Sequence, residues 1–228
     1  MENLLLNLMA ESFERKQAGV PGLLGSLPFI TISREFGCQA NLLATMLKHE
    51  LDKSGKSWQI MNKEIIQDAA RELHLDSDLI ARIAGSLERN QMDEIIHALS
   101  SKYYKSDRKI RQTIASVVLN TAHSGHTIIV GRGGAAITRG MHPSIHVHIS
   151  APIEWRLNSL MVRHNLKREE TYKQLTETDH KRYKLIRDNL KGTEAIEHLF
   201  DLSINCSLVS HEEMVTIIMK LAQLRKMV

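Results

Sequence analysis

The fold is decided by Ile30-Thr31-Ile32-Ser33-Arg34-Glu35-Phe36-Gly37-Cys38-Gln39-Ala40-Asn41. A β-rich run, Phe29 to Ser33, ends in a short loop containing Gly37. Apolar residues at helical spacing follow: Leu42, Leu43, Met46, Leu47 and Leu51. Strand, turn and helix in that order bring backbone N–H groups and the positive end of a helix to one point, the layout that cradles phosphate. The usual Gly-x-x-x-x-Gly-Lys-Ser/Thr sequence is absent. One glycine remains, Ala40 stands at the lysine position, and Asn41 stands at the position of the magnesium-binding hydroxyl. By motif alone, an ordinary strand–turn–helix is at least as good a reading.

Four more β-rich runs lie downstream: Trp58 to Met61, Thr127 to Val130, Ile145 to Ser150 and Leu202 to Asn205. Several are nearly continuous apolar runs, as expected of strands covered on both faces. Helical stripes lie between them, among them Ile110, Ile114, Val117, Val118 and Thr121, and near the end Met214, Ile217, Ile218, Leu221 and Leu224. Strands alternating with helices imply right-handed crossovers and a parallel sheet, so the expectation is one three-layer α/β/α domain with five parallel strands. The segment 62–125 is too long for a simple crossover and reads as a helical insert over the sheet's carboxyl edge. A second helical segment, 152–191, separates the last two strands. Two helical flaps over a parallel sheet predict a site that closes on its ligands. Residues 1–27 read as an amphipathic helix, Asn3 to Phe13, and a Gly-rich linker; that helix either caps the domain or pairs two subunits, with the homodimer preferred.

The chain has 228 residues, of which 43% are hydrophobic and 25% charged, with a net charge of +4. Mean hydropathy is −0.23, and no apolar stretch is long enough to span a membrane. Its beginning carries Glu2 where a secretion signal carries Lys or Arg. Two cysteines, Cys38 and Cys206, exclude a disulfide framework and point to a reducing, cytoplasmic setting. His142, His146 and His148 are the closest histidine group; packing is the preferred reading over a metal site. Charge is concentrated between Arg156 and Lys191, where ten Lys/Arg face five acids, a local surplus larger than that of the whole chain. Such a segment favours a phosphate-bearing partner, against the ordinary alternative of a solvated helix face.

Two further stretches carry chemistry. In Ile128-Ile129-Val130-Gly131-Arg132-Gly133-Gly134, glycines at a strand's carboxyl end let backbone approach a ligand, and Arg132 is placed to meet a phosphate. The other is Ala151-Pro152-Ile153-Glu154-Trp155-Arg156, followed by Arg163 and by Asp179-His180-Lys181-Arg182. Arg156 and Arg163 are two helical turns apart and share a face; Asp179 and Arg182 are spaced to pair.

In this order the landmarks resemble the cytidylate kinase-like family of P-loop kinases, from about Ile30 to the C-terminus. The resemblance rests on Ile32 to Gly37, Val130 to Gly133, Ala151 to Arg156, Asp179 to Arg182 and Phe200 to Asn205. It implies ATP and Mg2+ bound at the phosphate loop Ser33, Arg34, Gly37, Cys38, Gln39, Ala40, Asn41 and Leu42, and an acceptor-binding insert at 62–125. It further implies a substrate site of Gly131, Arg132, Gly133 and Arg163, catalytic groups Arg132, Arg156, Asp179 and Arg182, and a lid over 179–187. Val130 and Gly133 replace the aspartates that flank the Gly-Arg of cytidylate kinases proper. The loop also lacks the later glycines and basic residue of its looser relatives.

The leading expectation is an ATP-dependent phosphotransferase acting on a nucleoside monophosphate or another small phosphorylated acceptor. The rival is a catalytically impaired kinase-fold protein that binds or senses a nucleotide or partner. Nucleic-acid binding ranks last, because only Tyr172 and Tyr183 interleave the basic stretch. A helix N-terminus lowers a thiol's pKa, which makes Cys38 a candidate reactive group; a small loop residue is the preferred reading.

Overall fold

The computed structural model describes residues 27–62, 107–190 and 195–228. The described strands are β1 (Phe29–Arg34), β2 (Gln59–Met61), β3 (Thr127–Val130), β4 (Ser144–Ser150) and β5 (Leu202–Asn205). The helices are α1 (Ala40–Asp52), α2 (Asp107–Ser124), α3 (Gly134–Ile137), α4 (Ile153–His164), α5 (Arg168–Asn189) and α6 (His211–Leu224). The strands form one sheet in the order β2-β3-β1-β4-β5, and every neighbouring pair is parallel. All five expected strands are present, within a residue of the expected ends. The N-terminal helix and most of the 62–125 insert lie outside the described residues; the end of that insert is α2.

Alternation along the central strands builds the two faces of the sheet. On one face Ile30, Ile32, Ile128, Val130, Ile145, Val147, Ile149 and Ile204 pack against Leu43, Leu47 and Leu51 of α1 and Met214, Ile218 and Ala222 of α6. Each leucine fully buried in that layer contributes about 2 kcal/mol. On the other face Phe29, Met61 and Ile129 meet Val118 and Ala122 of α2. The middle of this second face is polar. Register sets Thr31 beside His146 and Ser33 beside His148, and β4 alternates apolar with polar side chains.

The helical stripes are narrower than the sequence suggests. Leu42, Ile217 and Leu224 are exposed, while their neighbours Leu43 and Ile218 are fully buried. Helix ends follow local chemistry. α4 closes on Asn165 in the left-handed conformation, and α6 opens with a capping box in which Ser210 Oγ accepts the Glu213 N–H and Glu213 Oε2 accepts the Ser210 N–H.

Candidate phosphate-binding site

The turn between β1 and α1 is held from outside by α4 and α5. Gly37 has φ +97°, and a Cβ there would lie 3.0 Å from Arg156 Cβ and 3.3 Å from Arg156 O. The one glycine that the turn retains thus seats it directly on the first turn of α4. Arg156 is 6% exposed. Its Nε donates to Ala151 O at 2.8 Å, and its Nη1 donates to Phe36 O at 3.0 Å and to Asp179 Oδ2 at 2.5 Å. Two helical turns on, Arg163 Nη2 donates to Gly37 O at 2.7 Å. Arg156 and Arg163 therefore share a face, as their spacing predicts, and both spend that face on carbonyls of the turn.

Asp179 and Arg182 are brought to the same place but do not bond to each other in the way their spacing suggests. Asp179 Oδ1 accepts the Phe36 N–H at 2.6 Å, and its partner cation is Arg156. Arg182 Nη1 reaches Arg34 O at 3.3 Å, with its guanidinium 5.4 Å from the centre of the Phe36 ring. Burial pushes the pKa of Arg182 down; the nearby Asp179 carboxylate opposes that shift. The reason for the re-pairing is geometric: the turn offers both an N–H and a C=O at Phe36, and the carboxylate and Arg156 satisfy them together.

Within the turn, side chains divide between core and solvent. Ser33, Cys38 and Ala40 are buried, so only their backbone is available to a ligand, whereas Asn41 and Leu42 are exposed. Gln39 caps α1 without a side-chain bond. The N–H groups of Asn41 and Leu42 have no acceptor within their own helix, as in any first helical turn. The neighbouring Cys206 thiol and burial push the Cys38 thiol far up in pKa, away from the reactive alternative and in line with the preferred reading of a small loop residue.

A second turn meets the first. Gly131, Arg132 and Gly133 are all left-handed, with φ +78°, +60° and +67°. An added Cβ on Gly131 would lie 1.7 Å from Arg34 Nη1, so the Arg34 side chain lies directly over this glycine. Arg132 is 8% exposed. A left-handed conformation at a residue other than glycine costs roughly 1–2 kcal/mol, a cost that concentrates at functional sites. Arg34, Arg156, Arg163 and Arg182, from β1, α4 and α5, thus gather at the β1–α1 turn with Glu35 and Asp179, and Arg132 lies in the neighbouring β3–α3 turn.

Two residues quoted in the opening motif had no role assigned from sequence. Glu35 Oε2 accepts the Ala151 N–H at 3.0 Å and lies 3.3 Å from Arg156 Nε, and Phe36 lies beneath Arg182. Their signal is the unbroken Ile32 to Gly37 run itself. His146 and His148 do share a face. His146 Nδ1 bonds Thr31 Oγ1 at 2.8 Å, and the His148 ring stacks on Phe200 at 4.8 Å. Among the described residues no group of three His, Cys, Asp or Glu side chains is placed to hold a metal, and no helix is long and apolar enough to cross a membrane.

The model of one protein family, described as the cytidylate kinase-like family, matches residues 29–208. No curated protein matches the chain. Among solved structures it is similar to an uncharacterized protein from Eubacterium ventriosum, with 17% identity and a TM-score of 0.58 over 86% of this chain and 98% of that one. It also aligns with shikimate kinase from Bacteroides thetaiotaomicron, at 10% identity and a TM-score of 0.47 over 86% and 96% of the two chains.

Proposed function

The chain belongs to the cytidylate kinase-like family, and from that membership and the site's charge we propose that it is a nucleotide-binding phosphotransferase. On this reading it moves the γ-phosphoryl of ATP to a small phosphorylated acceptor of nucleoside monophosphate type. The observation that carries the proposal is the gathering of Arg34, Arg156, Arg163 and Arg182 at the β1–α1 turn, with Arg132 in the turn beside it. Clustered arginines at a helix N-terminus suit a polyphosphate. The exposed first-turn amides at Asn41 and Leu42 would donate to it, and Arg132 would hold the acceptor's phosphate. No general base is needed where the acceptor is itself a phosphate.

Magnesium does not fit as a resident ion. The start of α1 offers a buried Ala40 and an exposed Asn41 in place of a hydroxyl, and both Glu35 and Asp179 are engaged by protein donors. Mg2+ would arrive with the nucleotide as part of the substrate. Without the lysine, one charge-assisted contact to the phosphates is missing, and turnover is expected to be lower by a factor of roughly 10².

The rival reading, binding without turnover, is favoured by one observation: Asp179 holds the Phe36 amide. Two measurements separate the readings. Thermal-shift titration with Mg·ATP, with and without each nucleoside monophosphate, tests binding, and a coupled ADP-release assay tests transfer. A shift with acceptor-dependent ADP release supports the phosphotransferase, and a shift without release supports the rival. Absence of any nucleotide-induced shift overturns both.

A further inference from the structure

Helix α6 buries one side and leaves an apolar ridge on the side next to it. Met214, Ile218 and Ala222 are fully buried against the sheet, whereas Ile217, Leu221 and Leu224 recur at i, i+4 and i+7. Ile217 is 41% and Leu224 71% exposed, and Leu221 is half-buried. Residues at that spacing line up along a helix, so the three form one ridge about 10 Å long. A fully solvated side would carry polar residues, as α6 does at Glu212, Thr216, Lys220 and Gln223. Single exposed apolar side chains are ordinary; a row of them at helical spacing calls for a cover.

We infer that this ridge is a docking surface whose occupant is the chain's own segment 3–13, laid along α6 in the same molecule. The segment lies outside the described residues, but its sequence fits the ridge. On a helix Leu4, Leu5, Leu8 and Met9 share one side, and Asn3, Asn7, Glu11 and Glu14 the other. Charge agrees as well. The acidic Glu11 and Glu14 would border a ridge beside which Lys220 and Lys226 are both exposed.

The tether favours the same molecule over a second copy. The described chain starts at Leu27, two residues before Phe29, whose register partner on β4 is Ser144. Ser144 O accepts Arg225 Nη1 at 2.6 Å, so the chain enters the domain beside the end of α6 at which the ridge finishes. Residues 14–26 span up to about 45 Å when extended, and α6 is about 21 Å long, so the segment reaches any part of the ridge. On such a tether it meets its own ridge at an effective concentration of order millimolar, far above that of another copy in dilute solution. The inference is independent of the function proposed above.

The test follows amide hydrogen exchange of the full-length protein by mass spectrometry, with light scattering on the same samples. Expected is a peptide spanning 3–13 that exchanges at least about tenfold more slowly than an unstructured chain, with protection that persists on dilution. Leu224→Asp alters a mostly exposed side chain, so it should keep the urea midpoint while the protection of 3–13 disappears. Leu8→Asp should release the segment from the other side, speed exchange across 217–224, and add nothing further in the double variant. Leu208→Asp, at a leucine more exposed still but off the ridge, should leave the segment protected. Coil-like exchange of 3–13 in the unaltered protein, protection lost on dilution as a two-chain species dissociates, or protection that survives Leu224→Asp would each overturn the inference. If Leu224→Asp does not fold, Leu8→Asp decides, and unchanged exchange across 217–224 overturns it.

Discussion

Asp179 Oδ1 accepts the backbone N–H of Phe36 at 2.6 Å, while Asp179 Oδ2 takes Arg156 Nη1 at 2.5 Å. A carboxylate carried on α5 therefore stands where an anion would bind the turn, and it holds the helix and the turn together. Asp179→Asn keeps an acceptor for Phe36 and removes the charge. Its expected effect is tighter binding of pyrophosphate, by several-fold to about tenfold, since one competing negative charge at short range is gone. Asp179→Ala goes further and leaves Arg156 buried without its partner, costing about 3 kcal/mol, part of which added phosphate should restore. Calorimetric titration and urea unfolding with and without phosphate measure both effects. Unchanged pyrophosphate affinity in the Asn variant would remove Asp179 as a competitor.

Gly131 and Gly55 share a left-handed backbone, with φ +78° and +83°, but not their surroundings. Gly55 faces open space, whereas a Cβ on Gly131 would run into Arg34 Nη1. Gly55→Ala is expected to cost about 1 kcal/mol of stability and nothing in ligand binding. Gly131→Ala should cost a similar amount through the backbone and, because the flexible arginine yields, should also weaken nucleotide binding. Denaturation midpoints paired with nucleotide titrations for the two variants check this; equal binding in both would take Arg34 out of the site.

The architecture was legible because it rests on local signals. Strand–helix alternation gave all five strands and the parallel sheet, and the spacing of Arg156 and Arg163 correctly put them on one face. What each group bonds to was not legible, because partners are set by tertiary approach. Asp179 and Arg182 are spaced to pair on a helix, yet the turn's exposed N–H and C=O at Phe36, more than a hundred residues away, take Asp179 and Arg156 instead.

Stability should fall on mild acidification, in a window set by the buried His146 and the half-buried His148. Burial pushes the pKa of His146 down, with Asp201 opposing and His142 and Arg225 assisting; it pushes His148 down too, with Glu35, Asp179 and Glu197 opposing. In the folded protein both rings therefore prefer to be neutral. Above the ordinary value of 6.5 the folded and unfolded chains are both neutral there and stability is complete. As pH falls below it, the unfolded chain takes up protons first, and stability drops by up to about 1.4 kcal/mol per pH unit for each ring until the lower folded value is reached. Asp201 acts in a separate window. Burial raises its pKa, but the Arg225 bond and the His146 N–H outweigh this and hold it below 3.8, so its contribution is lost only in stronger acid. Urea midpoints at half-unit steps from pH 8 down should reveal the histidine step, and His148→Gln should flatten its share. A flat profile through that range would contradict neutral rings.

Arg132 is a residue at which loss of turnover and loss of stability are measured side by side. It is held at φ +60° between two left-handed glycines and is nearly buried. A guanidinium in such a conformation is retained at a cost, and glycine at that position would relieve the backbone by about 1 kcal/mol. Arg132→Gly sets this relief against the loss of a nearly buried side chain, and its unfolding temperature is expected to fall by a few degrees. Binding of ATP at the other turn should persist. If the guanidinium holds the acceptor's phosphate, acceptor-dependent ADP release should fall by about two orders of magnitude, since a charged hydrogen bond to the reacting group is removed. Arg132→Lys should recover only part of that loss, because an ammonium cannot reproduce the bidentate fork. Differential scanning calorimetry and the coupled assay on the same preparations decide the matter. A large loss of stability without a loss of turnover would make Arg132 a structural residue and leave the acceptor to be held elsewhere.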